Sequence, residues 1–234
     1  MSLAPEHPRR RSAARLKPLA ACLCAALALC LLLTAAPGCN ILGPVVAVVS
    51  GPPTKAAAYE LDPSRIYVIF VDDLRSSLPK RSLRDVIAQS AEEQILAEGL
   101  LPQDHLLSAT ATRRVAASET NENKMPIAEV GRRVGADVVI YITVDGFMLS
   151  RDGVSAMPTA LSRMKIIDVT QNERIWPSTD EGYSVIVQPN RQQGDLPKDL
   201  SGRNALEVAL AKRLGLAIAQ TFYKHEVRQS ATSN

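Results

Sequence analysis

Across 234 residues the chain carries 27 Lys and Arg against 24 Asp and Glu, a formal net charge of +3, with 46% hydrophobic and 4% aromatic residues. The positive excess is local: residues 1–38 hold five of the basic residues and one of the acidic ones, so residues 39–234 carry 22 against 23 and a net charge of −1. In a near-neutral chain with no basic patch interleaved with aromatics nothing favours nucleic acid as a partner, and none is expected.

Arg9, Arg10, Arg11, Arg15 and Lys17 precede an uncharged apolar run, residues 19–36, that closes on small residues. This is the layout of a secretory signal peptide. Ala36-Pro37-Gly38-Cys39 resembles the lipobox of bacterial lipoproteins, in which small residues precede a cysteine that is diacylated and becomes the new N-terminus. The resemblance implies lipidation at Cys39, with a diacylglycerol or palmitate anchor as the contact with the lipid bilayer. An uncleaved anchor is the alternative, because 18 apolar residues approach the lower limit of about 17–25 for spanning a bilayer. Either way the rest of the chain lies outside the cytoplasm. Cysteine usage agrees, since Cys22, Cys24 and Cys30 fall inside the apolar run and Cys39 is the last of the four. A chain starting at Cys39 has one thiol, which acylation consumes, so the exported domain is held by packing without an internal disulfide. Asn40 is not the aspartate that retains many enterobacterial lipoproteins at the inner membrane, which favours the outer membrane.

In chain order, residues 39–61 read as the lipidated N-terminus and a linker punctuated by Pro44, Gly51, Pro52 and Pro53, with a short strand at 45–49. Residues 65–71 are a β-branched and aromatic run of the kind covered on both faces of a sheet. Asp72-Asp73 ends it; paired acids can serve acid–base chemistry, but without a partner histidine solvated loop charge is the plainer reading. Ser82 is placed to cap a helix in which Leu83, Val86, Ile87, Ala91 and Ile95 recur at helical spacing, and Gly99 stops it. Residues 100–107 return toward the sheet, Ser108 caps a short helix to Val115, 118–124 is a polar loop, and a helix opening at Pro126 closes at Gly135. Residues 138–144 are a second run expected to be buried on both faces, and Asp145-Gly146 a bulge or bend. Residues 161–169 form a strand that turns at 170–173 and pairs back through Arg174-Ile175-Trp176. Tyr183, Val185 and Val187 alternate with Ser184, Ile186 and Gln188 as in a strand near the sheet margin. In the last helix, capped by Ser201, Leu206, Leu210, Leu214, Ile218 and Phe222 form a row widened by Ala209, Ala217 and Thr221. Gly215 within it marks either close packing or a weak point. Residues 227–234 are a polar tail.

This order predicts an α/β fold of the mixed α+β kind: a single mixed sheet with amphipathic helices packed on it and a long C-terminal helix, in one domain at residues 62–226. GADVVIYITVDGF (135–147), the hairpin IIDVTQNERIWPS (166–178) and the C-terminal amphipathic helix resemble the periplasmic α/β domain of bacterial envelope lipoproteins. That group includes CsgG, LpoB and the amino-terminal domain of TolB. The resemblance implies a non-enzymatic protein of the periplasmic cell envelope that works through contact with another envelope protein. Trp176 and Tyr183 are the candidate contacts, because large rings concentrate interface energy; burial in the core is the alternative for both. A CsgG-like secretion channel would need membrane-crossing strands of about 9–11 residues, and the loops are short and charged. A hydrolase would have to use Asp72, Asp73 and Asp145 at strand ends. His105 and His225 read as surface or boundary residues, and no nucleophile elbow, phosphate-binding loop or zinc-ligand spacing is present. No catalytic residue, metal or cofactor is therefore assigned, and the sequence does not set the oligomeric state.

Overall fold

The two uninterrupted apolar runs become adjacent parallel strands at the centre of one sheet. The computed structural model describes residues 53–116, 125–189 and 193–226. The signal segment, Cys39, the strand expected at 45–49, the 118–124 loop and the 227–234 tail lie outside the described residues. In chain order the elements are β1 (Thr54–Lys55), β2 (Tyr67–Asp72), α1 (Leu83–Ala97), β3 (Leu106–Leu107), α2 (Ala109–Ala116), α3 (Ile127–Val134), β4 (Val138–Met148), β5 (Thr159–Asp168), β6 (Glu173–Trp176), β7 (Tyr183–Val187), α4 (Leu200–Ala219) and β8 (His225–Glu226). The main sheet runs β3-β2-β4-β5-β6, with β7 also paired to β5. β2 is parallel to β3 and β4, and every other pairing is antiparallel. The result is the mixed α/β architecture that the strand and helix order predicts.

β6 pairs β5 from Ile166 to Asp168 and β7 pairs it from Ala160 to Met164, so the two are successive halves of one sheet margin. β1 and β8 form a separate two-stranded ribbon. The amides of Ala58 and Tyr59 donate to Thr221 O at 2.8 and 3.3 Å, and Asp62 N donates to the Tyr67 hydroxyl at 2.9 Å. Residues 54–61, read from the sequence as the end of the linker, are thus docked on the domain.

Side chains of alternating residues divide between two faces. On one, Tyr67 and Ile69 of β2, Ile140 and Ile142 of β4 and Met164 and Ile166 of β5 pack against Ile87, Ala91 and Ile95 of α1 and Leu210, Leu214 and Ile218 of α4. On the other, Val68, Phe70 and Val139 pack against Val130 of α3, with Val115 and Ala116 of α2 beside them. The second layer is smaller than the first. Residues 138–144 are accordingly not buried on both faces throughout: Val138, Val139 and Ile140 are fully buried, but Tyr141 and Thr143 are only half-buried. The cause is that α2 and α3 cover β2 and the start of β4 and do not extend over the rest.

Helix ends follow backbone geometry more than the hydroxyl residues beside them. Ser82 sits in right-handed helical conformation and makes no side-chain capping bond. Asp199, not Ser201, caps α4, its carboxylate accepting from Gly202 N at 2.7 Å. Ser108 is a poor cap, its hydroxyl 3.4 Å from Thr110 N, because Glu92 of α1 accepts from Ala109 N at 2.6 Å instead. Gly99 and Gly135 stop α1 and α3 as expected, at φ +65° and +84°. After each the next amide reaches back five residues, Leu100 N to Ile95 O and Ala136 N to Gly131 O, the Schellman closure that favours glycine. On α4 the apolar row is widened by Ala211, Gly215 and Ala219, whereas Ala209 is exposed.

Candidate functional site

The acids singled out at strand ends are each committed to a local bond. Asp72 accepts from the Tyr141 hydroxyl at 3.1 Å and from Asp73 N at 2.8 Å. Asp73 accepts from Ser77 N and Leu78 N at 2.7 and 3.0 Å, closing the loop after β2. Asp145 sits in the bulge where the β4–β5 register shifts between Val144 and Gly146, and Arg163 of β5 grips it through Nε and Nη2 at 2.6 and 2.7 Å. That fork holds the Asp145 carboxyl below the usual carboxylate range, so it is an acceptor and no proton donor near neutrality. His105 and His225 rest their Nδ1 atoms on backbone oxygens of Pro63 and Tyr223. Among the described residues no group of three or more His, Cys, Asp or Glu could hold a metal.

Trp176 and Tyr183 meet across the β6–β7 margin with ring centroids 4.8 Å apart, and Tyr59 lies 5.5 Å from Trp176 and 6.5 Å from Phe222. Both rings are half-buried on the core side of the sheet, against the first-face cluster. They join the docked segment 54–61 to the domain. Cys39, the lipidation candidate, lies outside the described residues.

What the fold leaves open is the far half of the second face. There Leu161 of β5 stands directly opposite Ile186 of β7, at 36% and 57% exposure, and Met148 near the end of β4 is 45% exposed. Beside this apolar patch a shallow cavity of about 240 Å³ is lined by Tyr141, Thr143, Asp145, Arg163 and Lys165, with Arg75 at its rim. The outer side of β7 pairs with no further strand among the described residues, leaving backbone donors and acceptors free for a partner. An apolar centre, a charged rim of fixed geometry and an open strand margin suit protein recognition. They offer no nucleophile with an adjacent base. These residues were legible only in part. The alternation of Tyr183, Val185 and Val187 with Ile186 signals an exposed isoleucine, but nothing local shows that Leu161 faces it.

No protein-family model matches this chain, and no curated protein sequence matches it. Among solved structures it is similar to the PelC dodecamer from Paraburkholderia phytofirmans, at 14% identity and a TM-score of 0.40 over 74% of this chain and 98% of that one. The lipoprotein GNA1162 from Neisseria meningitidis is matched at 15% identity and 0.38, over 63% and 94%. The C-terminal domain of LpoB from Salmonella enterica is matched at 14% identity and 0.31, over 56% and 86%. At scores this low they establish neither a shared site nor a shared activity.

Proposed function

We propose that this chain is a membrane-tethered bacterial lipoprotein that serves as a non-catalytic adaptor or assembly factor of the cell envelope, through protein–protein contacts made by the open half of its sheet. The observation that carries the contact reading is the exposed Leu161–Ile186 pair with Met148 beside it, on a face that α2 and α3 leave uncovered. The tether rests on the sequence, a signal layout ending at Cys39. Residues 40–53, which precede the docked segment 54–61, would span at most roughly 45 Å at full extension. A partner would be met near the membrane surface, at the outer membrane if Asn40 is read as above.

A photo-crosslinking residue placed at Ile186 in intact cells is expected to capture an envelope protein, and one placed at Arg133 on α3 is not. Substituting Leu161→Glu should lose the capture without unfolding the domain. Equal capture from both positions, or none from Ile186, would reject this face as the contact surface.

A further inference from the structure

A second opening lies where α1 and α2 converge on the other margin of the sheet. β3 pairs β2 only at Tyr67 and Val68, so beyond Val68 that margin carries no strand among the described residues. The two helices leave a cavity of about 520 Å³ beside Phe70 and Val71. Its size is that of a small-molecule site, roughly 300–1,000 Å³. It sits at the carboxyl end of a parallel strand, where open α/β sheets place ligands.

Its charge runs one way. Arg81, Arg84 and Arg113 line it against a single acid, Asp85, and Asp85 is paired with Arg113. Among the described residues Arg81 and Arg84 have no ion-pair partner, and Nε of Arg84 is buried with no hydrogen-bond acceptor. The floor is apolar: Phe70 is 7% and Ala88 2% exposed. The first turn of α1 adds positive potential of the same sign, and the Ser82 hydroxyl, unused as a cap, lines the same space.

We propose that this cavity binds a small molecule carrying a phosphoryl group on an apolar or ring-shaped body. Arg81 and Arg84 take the anion and Phe70 and Ala88 the body. Two unpaired guanidinium forks match a phosphate dianion better than a single carboxylate, because each fork can meet two phosphate oxygens. The inference is independent of the contact face, which uses the opposite margin of the sheet.

The test is calorimetric titration of the detergent-solubilised full chain with phenyl phosphate, inorganic phosphate and benzoate. Phenyl phosphate is expected to bind saturably at one site, with the other two about tenfold weaker or worse. R84Q and R81Q should each weaken phenyl phosphate about tenfold, and R133Q, outside the cavity, should leave it unchanged. R81Q alters an exposed side chain, so it keeps the test intact if R84Q fails to fold by circular dichroism. Absence of saturable phenyl phosphate binding, or unchanged binding in R81Q, overturns the site. Benzoate binding as tightly as phenyl phosphate overturns the phosphoryl assignment, and inorganic phosphate binding as tightly overturns the role of the apolar floor.

Discussion

Arg163 and Arg65 hold the sheet together at its two ends by different means. At the bulge, Arg163 forks onto Asp145, whose side chain is 9% exposed. At the opposite end, Arg65 reaches Asp168 at 2.7 Å and the backbone oxygen of Asp137 at 3.1 Å, while Asp137 accepts from Ile66 N at 2.9 Å. One guanidinium thereby joins the starts of β2 and β4 to the end of β5. The amide of Gln171 and the Arg65 guanidinium hold the Asp168 carboxyl below its usual range, as Arg163 does for Asp145. Both folded values lie below the unfolded value of about 3.9. Their stabilisation is therefore complete above that pH and is lost as pH falls through the depressed folded values. Urea unfolding should show stability nearly level from about pH 7 to 5 and falling below about pH 4. In a D145N/D168N protein, destabilised at neutral pH by about 1–3 kcal/mol per site, the acid fall should shrink; an unchanged fall would mean other carboxylates govern it. Asp145-Gly146 was legible as a bend because glycine after an acid breaks a strand pattern. Its partner Arg163, 18 residues away, was not, because only register through the bulge brings them together.

Between elements, the close approach of α1 and α4 turns on a single missing side chain. A Cβ on Gly215 would meet Ile87 O at 2.4 Å, Ser90 Cβ at 2.7 Å and Ala91 N at 3.0 Å. Two of these are backbone atoms of a helix and cannot swing aside. The Ser90 hydroxyl also donates to Lys212 O at 2.9 Å across the same interface. Of the alternatives the sequence left open for Gly215, close packing is the one realised. G215A gains about 1 kcal/mol of helix propensity but overpacks the interface, at a cost of about 1–3 kcal/mol or more. A lowered Tm is expected, and a raised one would show that the helices separate easily. At the helix starts, D199A should cost about 0.5–2 kcal/mol, while S82A and S201A should be near neutral. The α4 cap was misplaced by two residues, Asp199 taking the place expected of Ser201, because Ser and Asp near a helix start are locally equivalent. The chain's approach to the first turn chooses among them, and at Ala109 a carboxylate from another helix fills the role.

For the whole molecule, location and contact are separable. C39A is expected to leave the domain folded but to move it from the membrane fraction to the soluble fraction and to abolish labelling by a palmitate analogue. Retention in the membrane with no label would favour the uncleaved anchor. The docking of residues 54–61 runs through Tyr59, Trp176 and Phe222. It explains why the two aromatics that stand out in the sequence are packed against the core: they sit on the inward phase of β6 and β7.

Sequence by itself determined the near-neutral charge of residues 39–234, the two apolar runs that become central strands, the glycine helix stops and the α/β class. Each of these is written in local composition or in a periodicity of two or 3.6 residues. Tertiary structure alone decided which half of the second face stays uncovered, that Leu161 meets Ile186 on it, and that two unpaired arginines close on a cavity beside β2. Such features depend on strand register and on where short helices come to rest over the sheet. Both are set by contacts between residues far apart in the chain, which no local pattern records.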